Sequence, residues 1–591
     1  MIDSRRALIV VAAFVLMALG LPWGGNVPAA SAQTISVTAA DPPTGEQGTL
    51  NLNVIIKGKG FKNGAKAKFY KTGTTDPAGV NVKSTQYVST TQLVALVDIA
   101  DTAELAKFDI QVANTDGRTG KGTELFSVLA EKVSACTQPD PVPSPSPYVS
   151  EVPGYPGYLD GNFGSGGKVI GPRFTATTGF TGAPIAIDHA DRIIVVGNRN
   201  FPCSVNQSGT ELTAARYLPD GSPDAGFGVN GVVTIAFAGG NGIGTAVVVQ
   251  ADNKIVVAAQ AKQTKSTASL PVIIRLDENG SLDSTFGSGG MFWMSLFGTK
   301  ANGSVVSVAL QAAGTAEKIV AAGWSDYGPR FVCRLNPNGA FDGTFNGSGY
   351  SLLNDQVSFN TVTIQSVGAD QRIVVAGHSR DSLNHYVGTI WRYTGSGGPD
   401  TSFGGGTGIV RTSFHVEDGR SLGDHFDTVA IDSSNRLVAV GSMSYSLVPG
   451  DLSITRTQVV LARYDVDGDP DTSFGLDGSG RAWAPLSTIG KDVAKDMALQ
   501  ADGLILVAGY TYLSGNSPDA GALWRFNPDG AVDATFGDGG WVTDPVVSGA
   551  RLTYVTGMAL QADGRIVCGG HIATVGSPSI YYVVLARFWQ Q

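Results

Sequence analysis

The segment from Arg463 to Gly475 reads RYDVDGDPDTSFG, and four aspartates (Asp465, Asp467, Asp469, Asp471) fall on alternate positions around one glycine. Closely spaced carboxylates offer the hard oxygen donors that calcium prefers. An Asp-Gly pair between apolar runs is equally a hairpin turn, in which Asp bonds its own backbone and Gly takes the positive φ. The segment has relatives: RYLPDGSPDAGFG, RLDENGSLDSTFG, RLNPNGAFDGTFN, RYTGSGGPDTSFG and RFNPDGAVDATFG. In every one an arginine leads an aspartate by eight residues, and that aspartate leads a phenylalanine by three. The pairs are Arg216/Asp224, Arg275/Asp283, Arg334/Asp342, Arg392/Asp400, Arg463/Asp471 and Arg525/Asp533. The turn is shared and Asp469 is not, so the spacing reads as architecture first. An EF-hand is excluded because the glutamate of its last position is absent. Calcium at Asp465, Asp467, Asp469 and Asp471 is kept as the one candidate cofactor.

A second phrase recurs between these segments, as in AIDHADRIIVVGN, VVQADNKIVVAAQ, AIDSSNRLVAVGS and ALQADGRIVCGGH. Apolar run, Asp/Asn/Gly turn and apolar run make a β-hairpin. Seven hairpins, each with the strand ending in the repeated arginine and a short strand after FGxxG, give about four strands per unit. Four-stranded units at this pitch predict β-propeller blades. The ends of the array are complementary. Leu159-Asp160-Gly161-Asn162-Phe163-Gly164 lacks a preceding arginine strand, and Arg587 lacks a following aspartate. A ring in which Asp160 serves Arg587 completes both and leaves no open sheet edge there. The expected fold is all-β, a seven-bladed β-propeller over 159–591.

These D-x-x-F-G and hairpin phrases resemble the delta-60 repeat family of predicted bacterial β-propellers. Phe345-Asn346 departs from the pattern, as does Ala259 at a usual glycine. The resemblance implies a propeller and supplies no catalytic residues.

Upstream, residues 33–131 alternate short apolar runs with turns, which predicts a small antiparallel sandwich. Ile56-x-Gly58-x-Gly60-Phe61-x-x-Gly64-Ala65, Val88-Ser89-Thr90-Thr91-Gln92-Leu93 and Val112-x-Asn114-x-Asp116-Gly117 resemble an IPT/TIG-type immunoglobulin-like domain. That resemblance implies a spacer or adhesion module. Residues 132–158 are Pro-rich and read as an extended linker. Residues 1–32 read as a signal peptide: Arg5-Arg6, an apolar run from Ala7 to Leu21, then Ala30-Ser31-Ala32. The expected location is secreted, periplasmic or cell-surface, with no membrane span after cleavage. The 591 residues carry a net charge of -9, which argues against a nucleic-acid partner. Of four cysteines, Cys333 and Cys568 sit in apolar runs as buried thiols, and Cys136 and Cys203 are the candidate disulfide.

Identical Arg/Asp pairs around a ring suit blade register better than an active site, and Arg587/Asp160 is assigned to the same set. The residues just past each second hairpin strand, Asn198, Gln260, Trp324, His378, Ser442, Tyr510 and His571, form a varied column that is the candidate ligand face. No HxH, HExxH, CxxC, GxSxG or phosphate-loop motif occurs. The expected function is an exported, monomeric, non-enzymatic scaffold binding a protein or glycan partner. The alternative is an extracytoplasmic propeller enzyme, a lyase, hydrolase or quinoprotein-like protein. That alternative requires a non-repeated cluster of acids and bases on the ring.

Overall fold

In the computed structural model the described residues are 34–46, 52–100, 103–129, 156–171, 184–200, 210–237, 239–263, 268–294, 302–314, 316–326, 329–353, 357–414, 421–446, 455–484, 490–512, 520–544, 552–573 and 581–590. Their secondary structure is all β, and the chain divides into two compact units, Met1–Thr137 and Gln138–Gln591. The expected signal peptide, most of the linker and the Cys136/Cys203 pair lie outside the described residues. Among the described residues no helix is long and apolar enough to cross a membrane.

In the first unit, alternating apolar positions put one face of each strand inward, as the period of two demands. Two four-stranded sheets result. One runs Ser36–Asp41, Leu52–Lys59, Gln92–Ile99, Val80–Ser89, and the other Thr44–Glu46, Thr119–Leu129, Lys107–Ala113, Lys66–Lys71. Val54, Ile56 and Leu93 from the first meet Phe69, Phe108 and Phe126 from the second in one core. Phe61 is buried in that core as well.

Among the described residues of the second unit, seven four-stranded sheets form. In the first six, the strands follow chain order from the hairpin outward, the first being Ile185–Ile187, Ile193–Asn200, Thr210–Tyr217 and Val232–Ile235. The seventh is composite: Leu552–Leu560, Ile566–Ala573 and Tyr581–Phe588 are completed by Lys168–Ile170 from the start of the unit. Apolar clusters lie between every consecutive pair of sheets. A further cluster joins Val567, Val583 and Leu585 of the seventh to Ile193, Val195 and Ala215 of the first. The seven first strands likewise neighbour one another in sequence, and the strand Ile185–Ile187 touches Leu552–Leu560. The sheets therefore close into a circuit around a common axis, with the first strands innermost.

The repeated phrase builds each joint of that circuit. Arg463 Nε donates to Asp471 Oδ2 at 2.8 Å, the guanidinium lies 4.6 Å above the Phe474 ring, and Nη1 donates to the Pro528 carbonyl of the next sheet's turn. The same three contacts recur at Arg216, Arg275, Arg334, Arg392 and Arg525 with their aspartates Asp224, Asp283, Asp342, Asp400 and Asp533. Arg587 closes the set: its Nη2 is 2.7 Å from Asp160 Oδ2, it covers Phe163 at 4.6 Å, and its Nη1 reaches back to Pro219 of the first sheet. The turn glycine also takes part. Gly468 adopts φ +89°, and a Cβ there would meet Phe403 of the preceding sheet at 2.5 Å. Where the repeat departs from glycine, Asn346 takes φ +50° and donates from Nδ2 to the Tyr350 carbonyl.

Candidate active site

The first strands carry a second repeated device. Six of them have a β-bulge five residues before the hairpin's Gln or Asp, at Thr245, Val306, Asn360, Asp427, Lys495 and Thr556. A bulge inserts an unpaired residue and re-aims its side chain. Neutral donors use the position to stitch neighbouring sheets. Thr245 Oγ1 donates to the Val305 carbonyl at 2.6 Å, and Asn360 Nδ2 to the Phe426 carbonyl at 2.7 Å. The next residue plays an accepting part, as when Ser307 Oγ receives Val362 N–H at 3.1 Å.

Two adjacent strands break this pattern with charge. Asp427 cannot donate to the next sheet's carbonyl, and its carboxylate is held instead by Lys495 Nζ at 3.2 Å and His425 Nε2 at 3.1 Å. The Asp427 side chain is fully buried, while those of His425 and Lys495 are 33% and 20% exposed. Burial alone would favour the neutral acid, but the Lys495 charge, followed by that of His425, holds Asp427 below the ordinary carboxylate range. Beside it, Asp496 accepts N–H bonds from Met497 and, across the joint, Met558, both at 2.9 Å. Burial, with the Asp427 charge adding to it, pushes Asp496 up to about 7. Two neighbouring carboxyls thus have opposite preferences, Asp427 lowered and Asp496 raised to about 7, a division that enzymes use for acid–base work.

The imidazole of His378, from the adjoining sheet, stands 6.2 Å from that of His425 at 71° and 5.0 Å from the Tyr386 ring. Burial and then the His425 charge lower His378 to about 4, so it is neutral near neutral pH. The ring, on a second strand, and the buried Asp427 with the partly exposed His425 and Lys495, on the innermost strands, form one continuous polar group.

The column expected to be a ligand face does occupy one register. Each member sits on the second strand of its sheet, opposite a first-strand residue or, for Asn198, opposite Leu212. Asn198, Gln260, Ser442 and His571 are buried, and Trp324, His378 and Tyr510 are half-buried. Burial lowers His571 to about 4. Ser442 Oγ accepts Ala494 N–H at 3.1 Å, a joint contact. His378 is the member that meets the acid–base group. The four aspartates of the opening segment, the calcium candidates, hold separate partners. Asp465 Oδ1 accepts the N–H groups of Asp467 and Asp469, while Asp471 is taken by Arg463, Arg436 and Ser473. Among the described residues no group of three or more His, Cys, Asp or Glu is arranged to hold a metal. Cys333 and Cys568 are buried free thiols, and burial pushes Cys333 up to about 12.

Sequence reading passed over Asp427, Lys495 and Asp496. Their signal becomes visible when the strands before the hairpin turns are aligned: TAVVVQ, VSVALQ, NTVTIQ, DTVAID, KDMALQ and TGMALQ. Charge enters this column on two adjacent units only.

Comparison with known proteins agrees on the fold. Residues 250–286, 318–345 and 500–536 match the family described as "Domain of unknown function (DUF5122) beta-propeller". No curated protein matches the chain. Among solved structures the chain is similar to an α-L-arabinofuranosidase of Fusarium graminearum, at 10% identity and TM-score 0.33, covering 58% of this chain and 91% of that one. It is also similar to a polysaccharide lyase, at 9% identity and TM-score 0.37, covering 71% and 93%. A GH43_1 enzyme of Xanthomonas citri complexed with xylose is similar at 10% identity and TM-score 0.23, covering 47% and 85%. The expected non-enzymatic scaffold is corrected. A non-repeated cluster of acid and base side chains, which an enzyme requires, is present on the ring. The second unit is a β-propeller, and its repeats are similar to those of the matching family.

Proposed function

We propose that the chain is an exported seven-bladed β-propeller enzyme that cleaves a carbohydrate by acid–base catalysis at Asp427, His425 and Lys495. In this reading it follows a signal peptide, an IPT/TIG-like immunoglobulin-like module and a Pro-rich linker. The closed circuit of seven sheets supports the blade count, and the two-sheet core around Phe61 supports the immunoglobulin-like assignment.

The observation that carries the catalytic reading is the charge that Asp427 and Lys495 bring to the bulge position on two adjacent strands, with Asp496 beside them. With its Nε2 turned to Asp427 Oδ2 at 3.1 Å, His425 presents Nδ1 as the nitrogen that takes a proton. The ionised carboxylate fixes the ring and stabilises the imidazolium that forms, as a buried aspartate does for a catalytic histidine. Lys495 supplies a partly exposed cation for charge developing on the leaving or enolic oxygen. Asp496 does not face a substrate. It is a positioning residue, whose neutral carboxyl keeps a second negative charge away from Asp427 and ties the strand to Met558. A glycosidic bond is a suitable target, because its cleavage needs a base, a charge stabiliser and a proton source at one place.

The test incubates the mature protein and its Asp427→Asn variant with a panel of neutral and acidic polysaccharides. Reducing ends and the ultraviolet absorbance of unsaturated products are both read. Reducing ends alone mark a hydrolase, and both signals together mark a lyase. At least one polymer is cleaved by the wild type, and the variant is slower by roughly 10²–10⁴-fold. No cleavage of any polymer, or equal cleavage by the variant, contradicts the proposal.

A further inference from the structure

Two cations near His378, Arg380 and Arg330, are placed differently from the joint arginines. Every arginine at a sheet joint has its aspartate. Arg380 and Arg330, by contrast, have no carboxylate within 4.0 Å among the described residues. Arg380 lies on the same face of its strand as His378, two residues earlier, since alternate side chains share a face. Its guanidinium rests 4.2 Å from the centroid of the Tyr386 ring. Nη2 donates to Tyr386 Oη at 2.7 Å and Nη1 to the Asn384 carbonyl at 2.8 Å, while Nε is buried without a partner. Arg330, from the preceding sheet, donates from Nε to the Val357 carbonyl at 2.8 Å. Both charges reach His378 and contribute to its lowered basicity, after burial and His425.

The acids nearby have partners of their own, and the Asp326 charge also favours the Arg330 cation. Asp427 serves Lys495 and His425, and Asp424 accepts the Phe414 N–H at 2.8 Å. Asp326 accepts from Asn302 Nδ2 at 2.9 Å, and Asp381 accepts the N–H groups of Leu383 and His385. Around the two imidazoles, Arg330, Arg380 and Lys495 accompany Asp427. A guanidinium stacked on an aromatic ring is held in one plane, ready for an oxyanion of carboxylate or sulfate type.

We propose that Arg380, backed by Arg330, forms an anion subsite beside the His425–Asp427 pair, so that the substrate is an acidic polysaccharide bearing carboxylate or sulfate groups. This rests on the catalytic reading for the reaction and on the arginines for the charge. The test measures binding of the Asp427→Asn protein to an array of uronate-containing and sulfated polysaccharides. Each is paired with its carboxyl-reduced or desulfated counterpart. At least one acidic polymer binds tenfold or more tighter than its neutralised partner, and which partner loses affinity identifies the anion. Adding Arg380→Gln removes that preference, while Arg380→Lys retains part of it. Arg330→Gln weakens it less. Equal binding of acidic and neutralised polymers, or no acidic polymer bound, overturns the subsite. Cleavage of a neutral polymer with no acidic preference leaves the enzyme standing and removes the subsite. Arg380-dependent acid binding without any cleavage does the reverse.

Discussion

Removing Asp160 tests how the ring is closed. Its side chain is fully buried, and Oδ2 lies 2.7 Å from Arg587 Nη2 and 3.2 Å from Arg565 Nε. Its Oδ1 accepts the Asn162 N–H at 3.1 Å. Asp160→Ala therefore strands the Arg587 guanidinium, itself 3% exposed, in a joint between the two ends of the unit. Breaking a buried pair by deleting one partner costs about 3–5 kcal/mol. Unfolding entropy near 2.1 cal/mol/K per residue over roughly 430 residues comes to about 0.9 kcal/mol/K, so a loss of about 4 kcal/mol lowers Tm by about 4–5 °C. Asp342→Ala breaks an equivalent pair in the middle of the array, where the chain itself still connects the neighbours. The two variants should lose similar Tm. Only Asp160→Ala should speed amide hydrogen exchange in Lys168–Ile170 and Tyr581–Phe588, read by mass spectrometry. An unchanged Tm, or the same local exchange pattern in both variants, would refute the closure argument. Asp160→Leu with Arg587→Met should recover most of the lost stability, because a buried pair replaced by apolar side chains is often neutral.

Asp496 gives a pH signature. Its carboxyl is raised from 3.8 to about 7, so the stability it contributes is complete below about pH 4 and is lost as pH rises through about 7. That rise corresponds to roughly 4 kcal/mol. Infrared difference spectra should show a protonated-carboxyl band titrating near pH 7 that Asp496→Asn lacks. Gly468→Ala places a Cβ 2.5 Å from the Phe403 ring at φ +89°, and should cost about 1–3 kcal/mol in denaturant unfolding. Asp469→Ala should stay within about 0.5 kcal/mol, since the exposed carboxylate makes no joint, whereas Asp471→Ala should approach the cost of a broken buried pair.

The architecture was legible because it repeats. Arginine, aspartate and phenylalanine at constant spacing in RYDVDGDPDTSFG report a joint of fixed geometry, and the unmatched Asp160 and Arg587 reported the closing contact. The same repetition hid the site. His425 and His378 are forty-seven positions apart and lie on different sheets, so their 6.2 Å approach depends on packing that no local motif records. Asp427 and Lys495 occupy a bulge column that looks like ordinary strand sequence until neighbouring units are compared. The alternating aspartates drew attention to calcium because spacing resembles ligation. In the fold, Asp465 points to its own turn and Asp471 to Arg463, which separates the oxygens by function.

The most direct measurement is the rate of product release from the best substrate of the polysaccharide panel. It is compared among the wild type, Asp427→Asn and the joint variant Asp283→Asn, at a temperature where all three are folded. If catalysis resides at Asp427, His425 and Lys495, Asp427→Asn falls by about 10²-fold or more while Asp283→Asn keeps the wild-type rate within about twofold. Equal rates in all three, or equal losses in both variants, would contradict the account.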